Sequence, residues 1–174
     1  MKNTLFLIFC FSILNLQSQI ENISTEDLEQ KNILTGICIS GDCKMGYGIM
    51  KWKDETTYIG YFWNETPSGQ GTVIWSDGSI YVGNFNEGMY SGEGTLITNR
   101  SLYIGEFNED MPSGFGTLLI EPGMYVGEFS NGELEGKGVF INKVGLIEEA
   151  IFKNNNPTGD TILIRENYIL REIK

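Results

Sequence analysis

The sequence predicts an all-β protein, an elongated antiparallel meander of repeated β-hairpins with short flanking segments at both ends. Three observations support this prediction. A pattern of the form tyrosine-x-glycine-x-phenylalanine recurs four times, at intervals of 22 or 23 residues. Glycine accounts for 22 of the 174 residues, which is about twice its usual share of ~7%. Hydrophobic residues make up 41% of the chain and aromatic residues 12%, too much apolar material for a disordered protein.

Residues 1–18 have the pattern of an export signal. Lys2 precedes an almost continuously apolar run from Leu5 to Leu16, and Ser18 supplies a small residue for cleavage. The run is too short to span a bilayer as a helix, which takes ~20 residues, so no transmembrane segment is expected after the signal is removed. A buried N-terminal helix is the alternative. Residues 19–35 are expected to form a linker or a short helix.

Two cysteines, Cys38 and Cys43, remain in the exported chain. Five positions apart in an oxidising compartment, they are candidates for a disulfide, and closing so small a loop adds roughly 2 kcal/mol of stability. A pair of reduced thiols is the alternative. No metal or other cofactor is expected, since the chain has no histidine and no second cysteine pair.

The repeated unit continues beyond its phenylalanine, because a Gly-x-Gly pair follows seven residues later in every copy. Four full repeats are predicted near 58–80, 81–102, 103–124 and 125–147. Their defining residues, expected to form the repeat core, are Tyr58, Gly60, Phe62, Gly69 and Gly71; Tyr81, Gly83, Phe85, Gly92 and Gly94; Tyr103, Gly105, Phe107, Gly114 and Gly116; and Tyr125, Gly127, Phe129, Gly136 and Gly138.

Each repeat is predicted to be one hairpin. Tyrosine, glycine and phenylalanine alternate with other residues and therefore share one face of a strand. The second strand of the first repeat is the β-branched and aromatic run 72–75. Asn64 to Ser68 is a predicted turn within the hairpin, and Asp77-Gly78 is a predicted two-residue turn between hairpins. Asn99-Arg100 and Pro122-Gly123 occupy the corresponding places later in the chain.

The recurring glycines are interpreted as space for aromatic rings. A glycine on the same strand face as two rings leaves a slot in which a tyrosine or phenylalanine of a neighbouring strand can lie flat. Each buried ring contributes about 1.5–3 kcal/mol. A phosphate-binding loop is the functional alternative, but such a loop occurs once, at the start of a helix, whereas this pattern recurs along strands.

The unit resembles the MORN repeat (membrane occupation and recognition nexus). The resemblance covers residues 46 to about 140 and extends more weakly over 36–164. It implies an elongated open antiparallel sheet that scaffolds other proteins. The family glycine three residues after the phenylalanine is present as Gly88 and Gly132 but replaced by Glu65 and Asp110, which affects the expected turn geometry there.

Degenerate copies flank the four repeats, which places the whole repeat domain at 36–164. Gly46 and Gly48 continue the pattern upstream, and Phe152 and Gly159 continue it downstream, although Glu148 replaces the tyrosine. Terminal repeats are commonly atypical because they cap the array. Residues 165–174 are expected to be a C-terminal cap, either a closing hairpin or a helix.

The residues indicate a non-catalytic protein. There is no histidine base for a cysteine nucleophile. The carboxylate pairs Glu109/Asp110 and Glu148/Glu149 are expected to be solvated turn or edge residues.

The predicted function is that of an exported scaffold, periplasmic, envelope-associated or extracellular, that binds a protein partner or itself. A net charge of −11 repels phosphate backbones and anionic lipids, so neither nucleic acid nor lipid is an expected partner. The alternative is a binder of carbohydrates or cell-surface ligands on exposed rings of Tyr61, Trp63 and Tyr90.

Overall fold

The structure, a computed structural model, describes residues 36–164. It contains twelve strands: β1 (Ile37–Gly41), β2 (Tyr47–Lys51), β3 (Thr57–Trp63), β4 (Thr66–Ile74), β5 (Ile80–Asn86), β6 (Met89–Ile97), β7 (Ser101–Asn108), β8 (Met111–Ile120), β9 (Gly123–Ser130), β10 (Glu133–Asn142), β11 (Ile147–Lys153) and β12 (Asn156–Ile164). The predicted export signal (1–18), linker or helix (19–35) and C-terminal cap (165–174) lie outside these residues.

All twelve strands form one open sheet in which each strand pairs with its sequence neighbours in the order β1 to β12. Every pairing is antiparallel, for example Tyr81 with Leu96 across β5 and β6. No residue between 36 and 164 is helical. The predicted all-β hairpin meander is therefore confirmed.

The turns within the repeats are shorter than predicted, and two of the three predicted turns between hairpins are longer. The turn expected over Asn64 to Ser68 contains only Asn64 and Glu65, since β4 begins at Thr66. Both residues have positive φ, 51° and 65°, as in the two-residue turns that match strand twist. Residues 66–68 belong to the strand because a bulge there accommodates Pro67 opposite Phe62.

The turns between hairpins are longer than two residues in two of the three predicted places. The expected Asp77-Gly78 turn is a loop over residues 75–79, closed by a 3.0 Å hydrogen bond from the Trp75 N–H to the Ser79 carbonyl. Asn99 and Arg100 lie in a loop over residues 98–100. Gly123 is not a turn residue, because β9 begins there and only Glu121 and Pro122 connect it to β8.

The core of the sheet is a continuous column of rings on one face. Each repeat tyrosine touches the phenylalanine of its own repeat and that of the next, edge to face; the Tyr58 ring centre is 5.0 Å from those of both Phe62 and Phe85. The column continues through the other repeats and ends at Phe152, whose centre is 5.2 Å from that of Tyr125. Each such edge-to-face pair adds about 0.5–1.5 kcal/mol to the stability that burial of the rings provides.

Two glycines of each repeat lie beneath a tyrosine ring. The second glycine of Gly-x-Gly lies beneath a ring of the neighbouring strand, as expected, whereas the glycine of Tyr-x-Gly lies beneath the ring of its own strand. Tyr58 covers Gly60 of its own strand as well as Gly71 of the facing strand. A Cβ on Gly60 would stand 2.5 Å from the Tyr58 hydroxyl oxygen. The phenylalanines lie against the tyrosine edges and not over the glycines. The alternation of strand faces explains why a ring covers a glycine of its own strand, because residues two apart lie on the same face. The tyrosine ring can therefore lie over the glycine two residues after it.

The two glycines of each Gly-x-Gly pair have different roles. The first has positive φ, 75° at Gly69 and 68° at Gly114, where the strand bulges. The second lies under the ring. Beside the bulge, the tyrosine hydroxyl donates to the backbone carbonyl three residues on, for example Tyr103 to Glu106 at 2.9 Å. The hydroxyl thus satisfies a carbonyl next to the irregular register.

The N-terminal end of the sheet is closed by the predicted disulfide, with Cys38 in β1 and Cys43 in the turn that follows. Cys43 is buried, and a Cβ on Gly48 would stand 2.8 Å from its sulfur. The disulfide therefore occupies, in the degenerate first repeat, the place that a tyrosine ring takes over the second glycine of the later repeats.

Candidate interaction surface

The face opposite the ring column has no second layer within residues 36–164, and it carries an unbroken line of apolar side chains. Each member precedes or follows a core-facing residue and so points away from the rings. Successive members are direct cross-strand partners from β4 to β11. This line, called here the apolar row, consists of Ile74, Ile80, Ile97, Leu102, Leu119, Met124, Ile141 and Ile147.

A second line runs beside the apolar row on the same face, two positions along each strand. It consists of Thr72, Val82, Thr95, Ile104, Thr117 and Val126. Val82 and Ile104 are about half exposed. The two lines together make an apolar band that crosses eight strands, or roughly 34 Å at a strand spacing of ~4.8 Å.

An acidic row follows the band along its other side. It consists of Glu93, Glu106, Glu128 and Glu135, and two of its cross-strand pairs, Glu93 with Glu106 and Glu128 with Glu135, put carboxylates opposite each other. Like charges in this arrangement destabilise a sheet. None of the three ion pairs found between residues 36 and 159 includes these four. A cation placed along this row would relieve the repulsion.

Two of the acidic side chains also stabilise the bulges. Glu106 Oε1 accepts a 3.1 Å hydrogen bond from the Phe115 N–H, and Glu128 Oε1 accepts one of 3.3 Å from the Lys137 N–H. Phe115 and Lys137 are the middle residues of their Gly-x-Gly segments, where the bulge interrupts regular pairing. Hydrogen bonds from these N–H groups hold both carboxylates in fixed positions on the open face.

Exposed rings gather at the N-terminal end of the open face. Tyr47 and Tyr61 meet edge to face with ring centres 5.3 Å apart, and Trp63 is 67% exposed. Tyr90, expected to be exposed with them, is instead on the core side. Its ring stacks on Tyr81 at 3.8 Å, because it lies opposite Phe85 and therefore on the face of the ring column.

Asp110, one of the paired acidic residues, has a structural partner in the neighbouring hairpin. Asp110 Oδ1 accepts a 2.7 Å hydrogen bond from the Tyr90 N–H in the preceding hairpin. Burial raises the pKa of this carboxyl above its ordinary value, although the bond from Tyr90 opposes the shift. Glu109 lies in a turn tip as expected. Glu148 and Glu149, expected in a turn or at an edge, lie instead in β11, which pairs with strands on both sides. No set of three or more metal-binding side chains comes together in the part of the chain described.

The structure separates the repeat residues from the open surface. Tyrosines, phenylalanines and second glycines of the repeat form the ring column, so they make the sheet and not its accessible side. The sequence prediction did not include the apolar row, because its members lie outside the Tyr-x-Gly-x-Phe pattern. The signal was present, however, since a large apolar residue immediately precedes Tyr81, Tyr103 and Tyr125.

Comparison with protein families gives one match. The model of the MORN repeat matches residues 44–57, 58–80, 81–99, 103–124 and 125–145, which together make up more than half of the chain. No curated protein matches the chain significantly. Within the described residues, no helix is long and apolar enough to cross a membrane.

Proposed function

Because this chain belongs to the MORN repeat family, we propose that it is a non-catalytic scaffold that binds a partner protein on the open face of its sheet. The observation that carries this proposal is the apolar row with the acidic row beside it. MORN repeats are interaction repeats, and exposed contiguous apolar surface marks binding sites.

The two rows define the chemistry of the partner. It presents an apolar strip with lysine or arginine along one side. The apolar strip would be buried on the band, and the cations would pair with Glu93, Glu106 and Glu128. Electrostatic complementarity of this kind accelerates and orients association. A helix of about 22 residues has the ~33 Å length of the band.

A pair of charge-matched double variants tests the binding face. Ile97→Glu/Leu119→Glu places carboxylates in the apolar row, whereas Ser76→Glu/Asn99→Glu adds the same charge in exposed loops. Quantitative affinity capture from the cell fraction that contains the protein, followed by direct titration of the captured partner, is the measurement. We expect the row variant to lose the partner and the loop variant to keep it. Equal binding by both variants would refute the proposal.

The absence of catalysis is part of the same proposal. Glu106 and Glu128 accept hydrogen bonds from N–H groups at the bulges, and the full chain contains no histidine. Replacing Glu106 and Glu128 by glutamine is expected to change partner affinity and stability. Neither replacement is expected to abolish the conversion of any candidate substrate. A conversion of a candidate substrate that disappears in either variant would contradict this assignment.

We also propose that the protein acts outside the cytoplasm. The predicted signal at residues 1–18 and the disulfide between Cys38 and Cys43 support this, because disulfides persist in oxidising compartments. Mass analysis of the protein from its source is expected to show a chain that starts at Gln19 and contains no free thiol. An intact Met1 with reduced cysteines would contradict export.

A second candidate function is carbohydrate binding on the ring cluster of Tyr47, Tyr61 and Trp63. The observation that favours it is that all three rings are more than half exposed on one face. Trp63→Ala is expected to abolish binding on a glycan array, whereas Phe115→Ala, which removes an exposed ring elsewhere on the same face, leaves it unchanged. An array with no hits for the wild-type protein would remove this candidate.

A further inference from the structure

The first strand of the sheet is an edge without charged residues or proline, although a bulge at Ile39 interrupts its pairing with β2. β1 pairs with β2 on one side only, and in the described sheet nothing pairs with its other side. Its sequence, Ile-Cys-Ile-Ser-Gly, contains no charge and no proline. Edge strands are normally protected by lysines, other charges, prolines or bulges, and β1 has only the bulge between Cys38 and Ser40. The opposite edge strand, β12, does include Pro157 and Asp160.

β1 contributes no buried side chain to its own sheet. All five of its residues are exposed, with Ile37 at 72% and Ile39 at 58%. The strand is nevertheless fastened covalently through Cys38 to Cys43. A strand that buries nothing within its own chain, but is held in an extended conformation with two exposed isoleucines, has the features of a template for another strand.

The charge distribution shows which partner suits this edge. Residues 36–57 are neutral, with three lysines and three acids, whereas residues 58–164 carry fourteen acids and four bases. Two copies of so acidic a chain repel each other almost everywhere. The described residues at the β1 end carry no net charge. The acids within strands begin with Glu93 in β6, roughly 24 Å away at ~4.8 Å per strand, which is beyond the ~8 Å screening length of physiological salt.

We propose that the β1 edges of two copies of this chain pair antiparallel across a two-fold axis, which joins their sheets into one continuous sheet. The same surface serves both copies, as a closed dimer requires. The unpaired backbone groups of each β1 then bond to the other, and Ile37 and Ile39 of both copies come together. The acidic repeats extend in opposite directions from the axis, and both open faces stay accessible.

This inference goes beyond the proposed binding function and uses a different surface. One dimer would present two open faces to partner proteins, which raises the apparent affinity for a partner that carries two binding segments. Failure of the dimer would leave the open-face proposal intact, and the reverse is also true.

Sedimentation velocity of the full chain without its signal, over a wide concentration range, is the first test. We expect a concentration-dependent dimer. Ile39→Lys puts a charge of equal sign on both copies at the axis and is expected to raise the dissociation constant at least about tenfold, a factor that corresponds to ~1.4 kcal/mol. The control is Ile151→Lys, the same substitution at a β11 residue of similar exposure, 54%, which is expected to leave the dimer unchanged.

Hydrogen exchange of the wild-type chain gives a second readout that needs no variant. The amides of β1 are expected to gain protection as concentration rises, while those of β12 do not. A monomer at every concentration would overturn the proposal. So would a dimer that Ile39→Lys leaves intact, or one in which β1 gains no protection, because either result would place the contact elsewhere. The Ile97→Glu/Leu119→Glu variant is expected to dimerise as tightly as the wild type, because its substitutions lie on the open face and not at the β1 edge.

Discussion

Each repeat depends on a tyrosine that performs three tasks at once. Its ring covers two glycines, its edges receive two phenylalanines, and its hydroxyl donates to the carbonyl beside the bulge. Tyr103 illustrates this, since its ring lies over Gly105 and Gly116 and its hydroxyl bonds to Glu106. Because a single position of the ring makes all of these contacts, a side chain beneath the ring would move the ring and disrupt every one of them.

Substitutions at two glycines separate ring contact from backbone conformation. At Gly116 a Cβ would stand 2.5 Å from the Tyr103 hydroxyl, whereas at Gly78, which has a φ of 84°, nothing lies within 4 Å. Gly78→Ala is expected to cost about 1–2 kcal/mol of unfolding free energy through left-handed strain alone. Gly116→Ala is expected to cost about 3 kcal/mol or more, because it overpacks the column. Urea unfolding of both variants measures the difference, and a Gly116→Ala cost at or below that of Gly78→Ala would contradict the ring-contact account.

Alkaline pH is expected to unfold the protein steeply. Burial raises the pKa of Tyr58 and of Tyr125 to about 12 and also raises the pKa values of Tyr81 and Tyr103. An unfolded tyrosine ionises near ~10. The folded state therefore holds these protons longer, and its stability is fully present below pH ~10 and is lost as the pH rises toward ~12.

Urea midpoints measured from pH 8 to pH 12 test this expectation. Tyr103→Phe removes one hydroxyl and is expected to make the alkaline decline shallower, while lowering stability near neutral pH by about 1 kcal/mol through the lost hydrogen bond. A midpoint that stays constant above pH 10 would show that the hydroxyls are accessible to solvent.

At the scale of the hairpins, the two-residue turns fasten each repeat to the one before it. The N–H of the second turn residue donates to the preceding hairpin, for example from Gly132 to the Pro112 carbonyl at 2.8 Å and from Asp110 to the Tyr90 carbonyl at 3.2 Å. Where the residue that accepts this bond is proline, it has no N–H for a turn side chain to bind, and the second turn residue is glycine. Where the facing residue is Tyr90, its N–H is bound by the side chain of Asp110.

Restoring the family glycine at two turns is therefore expected to have opposite effects. Glu65→Gly relieves the φ of 65° and removes only an exposed ion pair with Lys44, so it is expected to add about 0.5 kcal/mol of stability. Asp110→Gly relieves similar strain but removes the acceptor of the Tyr90 N–H, a charged hydrogen bond worth ~1.5–3 kcal/mol. We expect a net loss of about 1 kcal/mol. Denaturant unfolding measures the stability of both variants. Equal effects would contradict the stabilising role of the bond from the Tyr90 N–H to Asp110.

At the scale of the whole molecule, the sheet has one face covered by the ring column and one open face. Stability and the proposed binding therefore depend on different residues. The ring column stabilises the array without help from a second layer, which leaves the apolar and acidic rows available. The same division limits the proposed self-association to the end of the array, since the charge of the remaining strands keeps copies apart. A scaffold of this kind can change its open face without altering its core.

The charge of the whole molecule also predicts its behaviour toward membranes. With a net charge of −11, the protein is expected not to sediment with vesicles that contain phosphatidylserine at physiological salt, because the surface potential of such vesicles is negative. A basic amphipathic peptide of known affinity is the positive control. Sedimentation of most of the protein with these vesicles would contradict the charge argument and point to a specific headgroup site.

The sequence by itself determined the hairpin array and its family. The spacing of tyrosine, glycine and phenylalanine is local information, because strand alternation puts residues two apart on one face whatever the rest of the chain does. The two cysteines likewise indicated their disulfide, since they lie five positions apart.

Only the tertiary structure decided which residues turn, which rings are exposed and which surface is open. Glu65 and Asp110 take turn conformations that their residue types disfavour, because the neighbouring hairpins bind them there. Tyr90 is a core residue because of its partner across β5 and β6. The apolar row exists only when eight strands align, and that alignment depends on contacts between residues that no short window of sequence brings together.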